Sequence, residues 1–235
     1  MNNIHCDEVK DDFTLYEAIH IKHLTYPTFY RLKIAEILPV YYEKAIYIDT
    51  DVIVLKDLTV FYNTDISDYY IAGVKAANYI NNTKYQSYYD KIGLADTLSY
   101  INAGVILWNL NKIRQDNMTE ELCKHINKNY TSADQDLINL VLYGKIKCMP
   151  PKFNIMTGYK NGYLGLDEQK FELYKQAYEQ EDFTDDIKNP TIILYIGPNK
   201  PWKNNNVWLE EYWWEYEKIS AQQNIEETDT NSLPV

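Results

Sequence analysis

The chain has 235 residues, which suits one sizeable domain with an appendage. Its formal net charge of −11 argues against nucleic acid as a partner and against a basic patch gripping anionic lipid. It leaves room for a small anionic substrate at a local positive site. Three cysteines, Cys6, Cys123 and Cys148, lack metal-type spacing, and an odd count fits a reducing compartment better than a disulfide framework. Met1-Asn2-Asn3 leads into Asp and Lys, so no signal peptide is expected, and no apolar run reaches transmembrane length. These features predict a cytoplasmic protein, with peripheral contact at the inner membrane face as the variant. The 23 tyrosines read mostly as coding bias rather than as sugar-stacking surfaces.

Residues 1–26 are poorly patterned. His20 and His23 have ligand-like spacing, but such pairs are more often surface residues. Pro27 opens a helical stretch, with Thr25 as its cap, Phe29, Leu32, Ala35 and Leu38 on its apolar side, and Pro39 as its stop. Arg31 lies inside it. Ala45 to Ile48 and Val52 to Leu55 are short, β-branched apolar runs that read as strands. Tyr69 to Val74 reads as another. Residues 77–97 are polar and read as a surface excursion. Leu98 to Leu110 is apolar except at Asn102 and Gly104. A buried Asn needs partners, and a Gly inside a strand suggests close approach by a ligand or another backbone.

Asn111 to Lys128 has helical spacing, and Ser132 starts a further helix with Leu137, Ile138 and Val141 as its stripe. Asp134 and Asp136 at its start would favour the helix dipole on structural grounds alone. Ile146 to Met149 leads into Pro150-Pro151-Lys152-Phe153-Asn154. Residues 157–189 read as an irregular insertion, and Thr191 to Ile196 as a last strand. The turn Gly197-Pro198-Asn199-Lys200 suits a phosphate oxygen through backbone N–H groups and the ammonium, or is an ordinary turn with a surface Lys. Trp208 to Ile219 places aromatic residues on one helical face, and residues 220–235 have the composition of a disordered tail.

Asp49 and Asp51 stand between the two apolar runs at 45–48 and 52–55. In an extended backbone their side chains leave on one face, and two converging carboxylates call for a cation between them. A divalent metal with oxygen ligands answers that need. The alternative is a solvated turn, and Asp134-Gln135-Asp136 is a second Asp-x-Asp in the same chain.

Four segments in order resemble glycosyltransferase family 8, the group of glycogenin and bacterial lipopolysaccharide sugar transferases. They are Phe29-Tyr30-Arg31-Leu32, Tyr47-Ile48-Asp49-Thr50-Asp51, Ile101-Asn102-Ala103-Gly104-Val105, and Asp134-Gln135-Asp136 with Asn139. Gly197-Pro198-Asn199-Lys200-Pro201-Trp202 resembles the family's closing motif. The resemblance implies a GT-A fold, an α/β domain over residues 1–219 with a mixed, mostly parallel sheet and a C-terminal aromatic helix at 204–219. It implies a retaining transfer of glucose or galactose from a UDP-sugar to a saccharide or glycolipid acceptor, with Mn²⁺ or alternatively Mg²⁺. Asp49 and Asp51 would ligate the metal. Arg31 and Lys200 would meet phosphate or nearby donor groups, and the Gly197 backbone would lie against the diphosphate. Asn102, Ala103, Gly104, Asp134 and Gln135 would line the sugar pocket. Gln135, with Asp134 beside it, would support the oxocarbenium-like transition state.

Two departures stand against the family pattern. The family carries a His three residues before the closing Gly as a third metal ligand, and here that position is Leu194. The family also begins with strands that cradle the base, and this chain is expected to start near the third of them. An uncovered sheet edge would then invite pairing with another copy. These departures make a catalytically impaired binding protein the alternative. A haloacid-dehalogenase-type phosphatase, with Asp49 as nucleophile and Asp51 as acid/base, is more remote.

Overall fold

A computed structural model describes residues 27–76, 79–80, 86–94, 97–126, 130–157, 168–180, 182–204 and 206–230. Thr25, His20, His23 and Cys6 lie outside these residues. Two sheets organise the described chain. The first has four strands in the order β1 (Lys44–Ile48), β4 (Ile101–Asn109), β3 (Ile71–Lys75), β5 (Ile146–Met149). The second has three, β2 (Val52–Val54), β7 (Ile192–Leu194) and β6 (Ile155–Met156). The architecture is α/β with mixed sheets, as expected. The expected parallel majority is absent among the described strands: β3·β5 and β6·β7 are parallel, while β1·β4, β3·β4 and β2·β7 are antiparallel. The reason is topological, since β4 inserts between β1 and β3 and runs against both.

β4 is the central strand, and all of its residues are buried except Asn102. Its register against β3 slips. Gly73 pairs with Ile106 and Lys75 with Ile101, so two steps along β3 span five along β4. The extra residues fall within Asn102 to Val105, a bulge that re-aims side chains as bulges beside sites commonly do. One face of β4 carries Ile101, Ala103, Ile106 and Trp108 into a core with Phe29, Leu32, Leu137 and Ile138. The other sends Val105 and Leu107 into a second core with Ile192 and Leu194 of β7 and Met156 of β6. That core glues the two sheets together.

The helices depart from the sequence expectation in several places. The stretch opened by Pro27 is α1 (Pro27–Tyr30), a 3₁₀ turn Arg31–Lys33, and α2 (Ile34–Ile37) rather than one helix. α3 (Thr59–Tyr62) follows β2, and α4 (Gln86–Ile92) lies in the segment expected as an excursion, with Tyr89 buried. The stretch after β4 splits into α5 (Leu110–Gln115) and α6 (Met118–Lys124), because Asn117 at φ 57° breaks the run. After α7 (Ala133–Val141), the expected irregular insertion holds α8 (Glu168–Tyr178) and α9 (Thr184–Lys188). Tyr174 and Tyr178 of α8 cluster with Phe183 before α9 in edge-to-face and tilted contacts, an apolar driving force that the polar composition hid. α10 (Glu210–Thr230) carries the aromatic face and continues well into the stretch expected to be disordered from residue 220. Its first turn packs Tyr212 and Trp213, with Trp208 and Leu209 just before it, on the core of the second sheet, which anchors the turns beyond.

Candidate active site

Asp49 and Asp51 do not share one face of a strand. β1 ends at Ile48 and β2 begins at Val52, and the two strands belong to different sheets. The aspartates occupy the turn that crosses the seam. Backbone bonds hold each side separately. Asp49 N–H donates to Gly104 O at 2.8 Å, and Tyr195 N–H donates to Asp51 O at 2.9 Å.

Each carboxylate is held by its own cation. Arg31 donates through Nη2 to Asp49 Oδ1 at 2.9 Å and through Nη1 to Ala103 O at 2.7 Å. Its guanidinium lies 4.2 Å over the Tyr47 ring, and the Tyr47 hydroxyl donates to the same Asp49 Oδ1 at 2.8 Å. Burial pushes the Tyr47 phenol above its ordinary value, with Arg31 opposing. Lys200 reaches back from the closing turn to Asp51 Oδ2 and to Tyr195 O. Asp49 Oδ2 and Asp51 Oδ1 have no hydrogen-bond partner among the described residues.

The third wall comes from α7. Ala133 sits at φ 45° with 2% exposure, a strained conformation for a residue with a Cβ. It turns the helix start so that Asp134 and Gln135 face β4. Asp134 Oδ2 lies 3.0 Å from Arg31 Nε as a charge contact without hydrogen-bond alignment. Burial raises the Asp134 carboxyl to about 6, against the pull of Arg31. Gln135 Oε1 accepts from Asn102 Nδ2 at 3.0 Å and from Ala103 N–H at 3.1 Å. Asn102 Oδ1 accepts from Gly104 N–H and from Asn154 Nδ2, each at 2.9 Å.

Gly104 is where the walls meet. A Cβ there would stand 2.7 Å from Leu194 Cδ2 and 3.0 Å from both Asn102 Oδ1 and Asp49 Oδ2. The mid-strand Gly thus reflects close approach, and Leu194 is placed beside the Asp49 carboxylate. Gly197, exposed and at φ 72°, forms the bend that sends Lys200 back to Asp51.

The structure therefore gathers Arg31, Asp49, Asp51, Asn102, Ala103, Gly104, Asp134, Gln135 and Lys200 around the seam. Asp136 stands apart from it. It is fully buried, and Oδ2 accepts from Ser132 N–H, so it serves the helix start. Asn139 clamps Ile101 N–H and C=O, tying α7 to β4. Sequence reasoning missed Tyr47, Tyr100 and Asn154 as members. Tyr47 had a legible signal, because it lies two residues before Asp49 on a short strand and shares its face.

Two carboxylate oxygens left open at one turn are hard ligands suited to Mn²⁺ or Mg²⁺. Among the described residues no third His, Cys, Asp or Glu joins them to complete a cluster. A cleft of about 730 Å³ opens beside the closing turn, between Thr157, Asn199, Lys203, Asn204, Trp208 and Glu210. The carboxylates do not line it.

The mixed α/β fold, with acidic residues at a strand end and a Lys-bearing turn facing them, is of GT-A type, and solved structures bear the fold out. LgtC, solved as an active-site mutant, matches at TM-score 0.68 and 26% identity over 89% of this chain and 72% of that one. The same galactosyltransferase, solved with donor and acceptor sugar analogues, matches at TM-score 0.60 and 27% identity over 87% and 70%. The chain belongs to glycosyltransferase family 8, which it matches over residues 2–206. Among relatives, a putative glycosyltransferase of Haemophilus influenzae is 32% identical over 187 residues, 77% of this chain and 50% of that protein. General stress protein A of Bacillus subtilis is 27% identical over 201 residues, 83% of this chain and 65% of that one. The chain thus spans half to about two thirds of the length of these two proteins. No described helix is long and apolar enough to cross a membrane.

Proposed function

We propose that the chain transfers a hexose, glucose or galactose, from a UDP-sugar to a saccharide or glycolipid acceptor in surface glycan synthesis, retaining the anomeric configuration. Its place would be the cytoplasm or the inner face of the membrane. The observation that carries this reading is the pair of carboxylates at the seam, each held by a cation through one oxygen, with no partner for the other among the described residues. Mn²⁺, or Mg²⁺, held by Asp49 and Asp51 would offset the charge building on the diphosphate.

The chain's own residues supply the rest. Lys200 adds positive charge where the leaving group departs, and Gly197 lets backbone lie close to it. Arg31 keeps Asp49 turned toward the donor. Asn102 and Gln135 offer amides to sugar hydroxyls, and Asp134 closes the pocket beside them. The sugar's anomeric carbon loses its bond to the diphosphate oxygen, which takes the electron pair. The acceptor oxygen bonds to that carbon, and its proton passes to the departing diphosphate. The amide-rich cleft beside the closing turn suits the acceptor saccharide.

Incubation with UDP-glucose or UDP-galactose and Mn²⁺ is expected to release UDP. Absence of release together with absence of a thermal shift by UDP and Mn²⁺ would overturn the proposal. A second reading, a binding protein that keeps the fold without turnover, is favoured by Leu194, which puts a hydrocarbon beside Asp49. Binding without release would select it.

A further inference from the structure

We propose that Asp136 is a positioning residue that acts through Tyr100 to set which way the Gln135 carboxamide points. The inference rests on the reading of Gln135 as a sugar-pocket residue. It starts from a hydrogen-bond chain whose direction is fixed at both ends.

Asp136 is fully buried, and three donors converge on it. Tyr100 OH donates to Oδ1 at 2.6 Å, while Tyr88 OH and Ser132 N–H donate to Oδ2, each at 2.6 Å. An ionised carboxylate only accepts, so it consumes the single proton of each phenol. Burial, with the Asp136 charge adding to it, pushes the Tyr100 phenol well above its ordinary value, so that proton stays in place. The Tyr100 oxygen is then left to accept, and it accepts from Gln135 Nε2 at 3.1 Å. That assigns the amide NH₂ to the Tyr100 side.

The opposite end demands the same assignment. Ala103 N–H is a backbone group that can only donate, and it donates to Gln135 Oε1. Amide orientation is ordinarily a matter of choice between two fits. Here an acceptor-only carboxylate and a donor-only backbone group agree on one. The polarity then passes onward. With Oε1 accepting from Asn102 Nδ2, Asn102 must present Oδ1 to Gly104 N–H and to Asn154 Nδ2. The chain ends at Asn154 Oδ1, which is buried with no hydrogen-bond partner among the described residues. Asp136, without facing the pocket, thus holds from one end a donor and acceptor pattern that the Ala103 and Gly104 N–H groups hold from the other.

Tyr88 gives the control, because its hydroxyl spends the same kind of bond on the other oxygen of Asp136 and otherwise accepts from Thr131 N–H, not from Gln135. Two readouts are compared in Tyr100→Phe and Tyr88→Phe. One is the side-chain amide resonance of Gln135 by NMR, assigned by its loss in Gln135→Glu. The other is kcat and KM for UDP-sugar turnover. The expected result is a displaced Gln135 amide and roughly tenfold lower kcat with donor KM little changed in Tyr100→Phe, the scale seen when outer-shell partners are removed. Tyr88→Phe should move neither. Equal effects of the two variants, or an unmoved Gln135 amide in Tyr100→Phe, would overturn the inference. Asp136→Asn, close in shape, serves if Tyr100→Phe is insoluble. Its NH₂ would donate to Tyr100 and reverse the phenol's role, so the same two changes are expected. If the wild-type chain turns over no UDP-sugar, the proposed function fails, and the amide resonance alone decides this inference.

Discussion

Leu194 and Gly104 meet across the seam between the two sheets, and the missing Cβ of Gly104 is what lets them do so. A methyl group there would stand 2.7 Å from Leu194 Cδ2 and 3.0 Å from Asp49 Oδ2. Leu194 is 2% exposed and has little room to retreat. Gly104→Ala is expected to destabilise the fold by about 1–3 kcal/mol, as overpacking of a tight core does. Urea denaturation measures this. Binding of UDP with Mn²⁺ should weaken in the same variant, because the displaced group is either Leu194 or the Asp49 carboxylate. An unshifted denaturation midpoint would contradict the packing.

The same contact makes position 194 a probe of the metal reading. Leu194→His would set an imidazole beside Asp49, adding a nitrogen ligand to two carboxylate oxygens. Mn²⁺ should then bind more tightly in a direct titration, at some cost in stability from burying a polar ring in β7. Unchanged Mn²⁺ affinity would remove Leu194 from the metal's surroundings.

Arg31 is the cation on which two acids depend. Its side chain is 9% exposed, and Asp134 beside it is 8% exposed. Arg31→Ala would leave Asp134 buried opposite nothing positive, a loss expected at about 3–5 kcal/mol. Arg31→Lys should recover only part of it, since an ammonium cannot span Ala103 O and Asp49 in the way the guanidinium fork does. Chemical denaturation of the two variants ranks them, and full recovery by Lys would refute the fork argument.

Asp134 gives stability a pH dependence of defined sign. Its folded carboxyl titrates at about 6, raised chiefly by burial from an ordinary 3.8. The folded state therefore holds its proton over a range in which the unfolded chain has lost it. This group's contribution is fully present below about pH 4 and declines as pH rises through about 6, by roughly 3 kcal/mol in all. Asp134→Asn should flatten that slope in denaturation midpoints taken between pH 4 and 7. An identical slope in the variant would place the titration elsewhere.

Much of the frame was legible in residues alone. β1, β4 and β7 are built on apolar runs that carry Ile or Val, and such runs survive any context. Gly104 inside β4 correctly signalled close approach. The relation of Asp49 to Asp51 was not legible, because strand period applies only while the strand continues, and the chain leaves its sheet between them. The tyrosines misled most. Tyr79, Tyr88 and Tyr100 converge on Ser132 and Asp136 from separate parts of the chain, and only folding brings them together. Composition made them look like coding bias. Ala133 at φ 45° carries no sequence mark either. A residue suited to helix stands there, and tertiary contacts impose the strain.

The turn that joins the sheets has a mechanical consequence. The opening between the Asp49 and Asp51 carboxylates behaves like the jaws of a caliper whose arms are β1 and β2. What sets the jaws is the filling between the sheets, where Val105 and Leu107 meet Ile192, Leu194 and Met156. A substitution that trims this filling, such as Met156→Ala, would respace the two acids without touching either, and an ion's size preference could be retuned from inside the core.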